Sequence, residues 1–289
     1  MNRLPDTRRG WSNALTRSPR IKRARLPLAA LLAALTLAWC AVSPTNGEVP
    51  AVDPSGRTTL PPFGVGESLT FEIKYGFISA GTAVIGIPRI VTERGYPCYH
   101  IVSVAESNSF FSVFFTVRDV VESFMDIKEL VPLRFEKRLR EGDFRDHDLV
   151  IFDHGRSVAI YPEQDGRVVP MAPGSQDILT SLYYVRMMDL EVGRSVYIDN
   201  HADKKNYPLE IKVLRRDRIS VGAGRFDCLV VEPVMRTSGL FRHKGKLTVW
   251  LTDDDRRMPV LMKSKVIIGS ISAELVEVRQ AEQPSPGRS

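Results

Sequence analysis

From residue 69 onward, apolar and polar side chains alternate with a period of two. Leu69, Phe71, Ile73 and Tyr75 are separated by Thr70, Glu72 and Lys74, the pattern of a strand with one buried face. Runs with strand character follow at 83–87, 99–104, 117–125, 133–140 and 148–153, and again at 196–198, 209–213, 226–231, 247–251, 260–266 and 271–278. Turn formers lie between many of them: Glu141-Gly142-Asp143, Asp165-Gly166, Gly222-Ala223-Gly224 and Asp253-Asp254-Asp255. Short strands joined by tight turns predict a mainly β fold, a strongly curved antiparallel meander or open barrel.

Two segments leave this period. Over residues 173–188, Ile178, Leu182 and Val185 share one helical face with Leu179 beside it, which predicts one amphipathic helix packed on the sheet. Ser175 is the expected N-cap, and Asp177 falls in the first turn, where the helix dipole favours an acid. Such a helix would cover the open face or mouth of the sheet. The second segment holds Phe110, Phe111, Phe114 and Phe115, spaced for a helical turn rather than a strand. Two roles are open to these rings: a core plug, with at least two of the four buried, or an apolar lip at the mouth of a lipid-binding cavity.

The flanks set the compartment. Residues 1–25 carry eight Arg and Lys (Arg3, Arg8, Arg9, Arg17, Arg20, Lys22, Arg23, Arg25) against the single acid Asp6, and residues 26–42 hold no charge. A basic region followed by an apolar one predicts an export signal over 1–42, with Ala38 and Cys40 giving a small-x-small cleavage site before Ala41. At the lower length limit of a membrane span, the same apolar run could instead stay uncleaved as an N-terminal membrane anchor. Lipidation of Cys40 is disfavoured by the bulky Trp39 before it. Pro-, Gly- and Ser-rich composition predicts a flexible linker over 43–60 and a disordered tail over 280–289, around a single β-rich domain over 61–279. The expected location is the periplasm or the outer face of the inner membrane, with outer-membrane association as an alternative.

Export changes the meaning of the charge. The chain has 40 basic and 34 acidic residues, but without residues 1–25 it keeps 32 and 33, a net charge near −1. A near-neutral domain has no electrostatic footprint for a polyanion, so no nucleic-acid partner is expected. Two cysteines, Cys98 and Cys228, remain in the domain. Both a disulfide between them and two buried free thiols are open in an oxidising compartment.

Catalytic signatures are missing. There is no Gly-x-Ser-x-Gly elbow, Cys-x-x-Cys, His-Glu-x-x-His, P-loop or EF-hand loop. Asp146-His147-Asp148 with Asp153-His154 is rich in ligand-type residues, but on a strand His147 points away from its two neighbours, so no metal site is expected. Glu106, Glu122, Glu136 and Glu232 lie on predicted strands with no spacing that fixes a catalytic pair.

Several stretches, in order, resemble the bacterial domain of unknown function 3108 family. They are Ser107-Asn108…Phe110-Phe111…Val117-Arg118-Asp119, Arg134-Phe135-Glu136-Lys137…Arg140-Glu141-Gly142 and Phe152-Asp153, then Gln176-Asp177…Tyr183-Tyr184-Val185-Arg186, Gly224-Arg225-Phe226-Asp227-Cys228 and Val249-Trp250-Leu251-Thr252-Asp253-Asp254…Pro259-Val260. The resemblance runs from Pro62 to Val278 and implies an exported, Gram-negative, mostly β protein with no assigned activity, so no catalytic residues carry over. Trp250 to Asp253 with Pro259-Val260 is similar, more loosely, to the strand–turn–strand of periplasmic lipoprotein carriers, which hold acyl chains in a curved sheet under a helical lid.

The reading that follows is a non-enzymatic envelope protein with no cofactor, binding an amphiphile such as a lipid or lipid-linked glycan. Its expected ligand-binding residues are Phe110, Phe111, Phe114, Phe115, Leu179, Tyr183, Tyr184 and Trp250, and the membrane is a partner through the N-terminal segment if that stays uncleaved. Alternatives are a structural or assembly factor docking on another envelope protein through a strand edge, and a polysaccharide-active enzyme.

Overall fold

The computed structural model describes residues 61–235, 247–265 and 269–281. The expected signal or anchor (1–42), the linker (43–60) and residues 282–289 of the tail lie outside the described residues.

The strands run in chain order as β1 (Ser68–Tyr75), β2 (Ile78–Glu93), β3 (Tyr96–Ser107), β4 (Arg118–Asp126), β5 (Pro132–Glu141), β6 (Phe144–Asp153), β7 (Val158–Tyr161) and β8 (Arg167–Pro170). After a helical crossover come β9 (Ser195–Ala202), β10 (Lys205–Val221), β11 (Gly224–Met235), β12 (Leu247–Thr252), β13 (Pro259–Lys265) and β14 (Ser270–Arg279). All join one antiparallel sheet in the order β8-β7-β6-β5-β4-β3-β2-β1-β14-β13-β12-β11-β10-β9. The first and last strands therefore meet in the middle, with Ser68 opposite Arg279, and the edges are β8 and β9.

The sheet curls around one apolar core but is not closed into a barrel. Side chains, rather than a ladder, bring its two edges together. Tyr161 of β7 bonds His201 of β9 at 2.9 Å, the Lys204 amide donates to the Tyr161 oxygen at 2.8 Å, and Asn206 donates to the Pro170 carbonyl of β8 at 2.9 Å.

Because each strand is antiparallel to its neighbours, successive turns alternate between the two ends of the sheet. One end carries the crossover helix, both termini of the domain and the β2–β3, β4–β5, β6–β7, β10–β11 and β12–β13 turns. The other carries the β1–β2, β3–β4, β5–β6, β7–β8 and β9–β10 turns.

The predicted helix is short: α2 (Ile178–Tyr184), continued by a 3-10 turn at Val185–Met187, with α1 (Ser109–Ser112) a single turn between β3 and β4. Its N-cap is Asp177 rather than Ser175, because Gln176 is held extended by two backbone bonds to β9, from its own amide to Asp199 and from His201 to its carbonyl. The helix cannot begin before that bridge ends. The Asp177 carboxylate accepts from the Thr180 amide and from the Ser123 hydroxyl of β4. Asn200 of β9 donates to the Asp177 carbonyl and to the Ser181 hydroxyl, so the helix is pinned between β4 and β9.

Below the helix, Arg186 donates to both oxygens of Glu67 at 2.7 Å and to the Arg256 and Pro62 carbonyls, with the Phe63 and Tyr183 rings beside it. This buried ion pair fastens the crossover to the start of β1 and to the β12–β13 turn.

Two departures from the sequence pattern have local causes. β7 and β8 have four residues each, too few to show a period. β2 starts at Ile78 instead of 83, where the alternation is hidden by Gly81: a Cβ there would lie 2.2 Å from the Glu106 carbonyl oxygen, so only glycine admits this approach of β3. Asp146-His147-Asp148 lies within β6, on a strand as read from the sequence.

Candidate functional site

The phenylalanine segment forms part of an apolar rim at the end away from the helix. Asn108 pins α1 there: its side chain accepts from the Phe111 amide and donates to the Ser79 carbonyl, and its amide donates to the Ala80 carbonyl. Phe111 then packs against the core. Phe115 is half-buried, its ring against Gly142, a left-handed residue (φ +58°) at which a Cβ would lie 2.9 Å from the ring. These two rings seat the segment. The other two face outward, Phe110 at 63% and Phe114 at 69% exposure, with their centroids 5.8 Å apart. Of the two or more rings expected in the core, Phe111 packs on it and Phe115 is half-buried against Gly142.

Neighbouring turns extend the rim. Phe77 in the β1–β2 turn with Ile78 at the start of β2, Val113 beside Phe114, and Phe144 at the start of β6 after the β5–β6 turn are all exposed. Three adjacent connections at one end therefore present large apolar side chains to solvent, which soluble proteins seldom do without a partner surface.

The remaining predicted site residues are elsewhere. Leu179 and Tyr183 are buried in the core near the helical end, Tyr183 edge-on to Phe63 with centroids 4.9 Å apart, and Tyr184 is half-buried beside them. Trp250 lies on β12, where its indole donates to Asp217 at 3.1 Å. The structure does not bring the four phenylalanines together with Leu179, Tyr183, Tyr184 and Trp250. An antiparallel meander puts the β3–β4 turn and the crossover helix at opposite ends.

Cys98 and Cys228 are buried free thiols, so the disulfide reading is not realised. Five strands separate β3 from β11 in the sheet. Burial pushes the Cys98 thiol up to about 11 and the Cys228 thiol to about 12, which leaves both un-ionised.

Of the predicted carboxylates, Glu122 and Glu136 stand opposite each other on the outer face, both bonded to Arg138. Glu106 pairs with Arg118 at 3.1 Å, and Glu232 lies on β11. A more unusual pair escaped the sequence reading. Asp119 and Glu141 point inward and are buried among Val117, Val121 and Leu139. Asp119 Oδ1 accepts the Arg140 amide at 2.9 Å, while Asp119 Oδ2 and Glu141 Oε1 find no donor elsewhere. The two side chains face each other closely enough for one carboxyl to hold a proton toward the other. Burial raises Asp119 to about 6; burial, then the Asp119 charge, raises Glu141 to about 7. The available sequence signal was phase: Asp119 occupies the buried register of Val117, Val121 and Met125. Carboxyls in direct contact are closer than the ~5–9.5 Å used for glycoside cleavage, so the pair does not supply that geometry.

Deeper along the interior, Lys137 pairs with Asp146 at 3.0 Å, and burial raises the carboxyls of Asp148 and Asp203. Among the described residues no group of three or more His, Cys, Asp or Glu side chains is placed to hold a metal ion, and no helix is long and apolar enough to cross a membrane.

Comparison with known proteins follows the fold. The family model described as "Protein of unknown function (DUF3108)" matches residues 70–276. The crystal structure of a beta-barrel-like protein of domain of unknown function DUF1849 from Brucella abortus is similar with a TM-score of 0.52 at 8% identity, covering 76% of this chain and 99% of that one. A "putative lipoprotein" from Parabacteroides distasonis is similar at a TM-score of 0.35 and 10% identity, over 77% of this chain and 100% of that one. At 8% identity the first of these likenesses shows the fold alone. No curated protein matches the chain.

Proposed function

This chain belongs to the DUF3108 family of unknown function, and we propose that it is a non-catalytic cell-envelope protein that engages an amphiphile, a lipid or lipid-linked glycan, at its apolar rim. The observation that carries this reading is the rim: Phe77, Ile78, Phe110, Val113, Phe114 and Phe144 exposed on three neighbouring turns. The basic-then-apolar residues 1–42 support export of the domain to where such ligands are at hand, and residues 26–42 would hold it to the membrane if uncleaved. Strand addition at a sheet edge is less favoured, because the edges β8 and β9 are tied toward each other by Tyr161, His201, Asn206 and Pro170.

Vesicle co-sedimentation tests the reading. A buried phenylalanine contributes about 1.5–3 kcal/mol, so Phe110→Ser with Phe114→Ser should weaken vesicle binding by at least about a hundredfold. Both side chains already face solvent, so melting temperature should hardly move. Phe111→Ser is the contrast: it removes core packing and should lower stability by about 2–4 kcal/mol. Unchanged vesicle binding in the Phe110 and Phe114 double variant removes the proposal.

A further inference from the structure

We infer that the surface met by the rim is a membrane rich in anionic headgroups, an inference that rests on the amphiphile reading and names the partner of that same site.

Directly behind the rim, three arginines stand in one row across three neighbouring strands. Arg140 of β5 faces Arg145 of β6 in the ladder. Arg118 of β4 faces Arg140 on the other side, by the register that sets Val120 against Arg138 and Val117 against Glu141. All three are exposed.

Like charges directly opposite each other on a sheet repel, and a strand pair without an external anion would do better with one of them replaced. Local acids do not relieve the row. Glu106 takes only Arg118, at 3.1 Å, and Asp143 sits exposed in the β5–β6 turn without a bond to any of the three. Arg145 donates to the Gly142 and Phe144 carbonyls at 2.6 and 2.7 Å, so its guanidinium is held up at the turn beside the exposed Phe144 ring. Arg140 has no carboxylate partner among the described residues. In the next row, Arg138 and His147 are engaged by Glu122, Glu136 and Glu163.

The geometry is layered. Apolar tips come first, and guanidinium groups follow one or two residues behind, at roughly 3.3 Å per residue. Apolar side chains entering the acyl boundary by about 5–10 Å would put those guanidiniums at the depth of the phosphates. Guanidinium matches a phosphate oxygen pair in shape as well as charge. An apolar wedge with basic groups behind it gives two binding signals, each reversible alone. Each basic residue near an anionic surface adds about fivefold to binding.

The experiment uses the purified protein with vesicles of phosphatidylcholine alone and of phosphatidylcholine mixed with phosphatidylglycerol. The anionic vesicles should bind at least about tenfold more tightly, with the difference shrinking as salt is added. Arg140→Gln with Arg145→Gln should remove most of that difference, by about fivefold per residue, and weaken binding to the neutral vesicles far less. Melting temperature should stay level or rise, since a repulsive pair is removed. Equal binding of the unaltered protein to both vesicle types, still weakened by Phe110→Ser with Phe114→Ser, overturns the anionic inference and leaves the amphiphile reading standing. An anionic preference that survives the arginine changes also overturns the inference, because the charge then acts elsewhere. No binding to either vesicle, with rim-dependent self-association seen by sedimentation, overturns both.

Discussion

Tyr161 and His201 bond at 2.9 Å across the seam where the two edges of the sheet meet. The bonds around them fix every proton. The Lys204 amide donates to the Tyr161 oxygen, so the phenol hydrogen is free to go to His201 Nε2. His201 Nδ1 then carries the hydrogen and donates to Asn206 Oδ1 at 2.6 Å, and Asn206 passes its own amide hydrogen to the Pro170 carbonyl. The seam is a chain of five polar groups with one tautomer, and His201 must be neutral in it.

Tyr161→Phe should therefore leave both the Lys204 amide and His201 Nε2 without partners in a buried place. We expect a loss of about 1–3 kcal/mol in denaturant unfolding, with faster amide exchange at the β9–β10 turn than at β1 or β14. Uniform acceleration across the sheet would show that the seam has no local role.

Acid should act on the same bonds. Burial holds the His201 pKa below its ordinary value of 6.5. The unfolded chain then binds a proton that the folded one refuses, so this contribution is present above about pH 6.5 and is lost as the pH falls below it. Exchange at the β9–β10 turn should rise on acidification within that window, and Tyr161→Phe should blunt the rise.

The inward pair works with the opposite sign. Asp119 and Glu141 have folded pKa values near 6 and 7, above their ordinary values of 3.8 and 4.5. Between about pH 4 and 7 the unfolded chain gives up protons that the folded chain keeps, so stability falls as pH rises. The buried Asp177, also raised to about 6, adds to the slope. Glu141→Gln supplies the missing hydrogen without a titrating group. It should flatten the decline and raise stability at pH 8 by on the order of 1–3 kcal/mol, measured by chemical unfolding across pH. An unaltered slope would mean that the two carboxyls do not share a proton.

Arg186 and Glu67 should be sensitive to separation and tolerant of joint replacement. Arg186→Met alone strands the Glu67 carboxylate among Phe63 and Tyr183, with an expected loss of about 3–5 kcal/mol. Arg186→Met with Glu67→Gln should recover much of it in a double-mutant cycle. Additive losses would show that the two side chains do not depend on each other.

Neither domain cysteine should react with a thiol reagent while the fold persists. Both are buried and their thiols are raised by that burial. Thiol counting should find both Cys98 and Cys228 free in denatured, unreduced protein and protected in native protein. Native labelling at either position would contradict the burial.

How much of this the sequence could show depends on how each feature is encoded. β1 was legible because Leu69, Phe71 and Ile73 alternate without interruption and the strand has one buried face. β7 was not, because its four residues are recruited by the long β6 beside it and by the seam bonds of Tyr161, which are tertiary. The helix was visible from Leu179 and Val185, but its cap depended on Gln176 pairing with β9, a contact remote in sequence. The clustering of Phe110 to Phe115 was plain, and its segregation from Tyr183 was not, since the alternation of turn ends emerges only from strand order. Phe77 and Phe144 are far apart in the sequence and become neighbours of the phenylalanine segment only because strand order brings three turns side by side.

The pairing of β1 with β14 also decides how the domain carries load. The chain enters at Ser68 and leaves at Arg279, opposite partners at the same end of adjacent strands. Tension between the two termini would open that ladder one bond at a time, like a zip. Tension between a tether on residues 43–60 and a grip on the rim runs along the strands instead, so that many bonds share it at once. The domain is weak when its termini are drawn apart and stiff when held between its two ends.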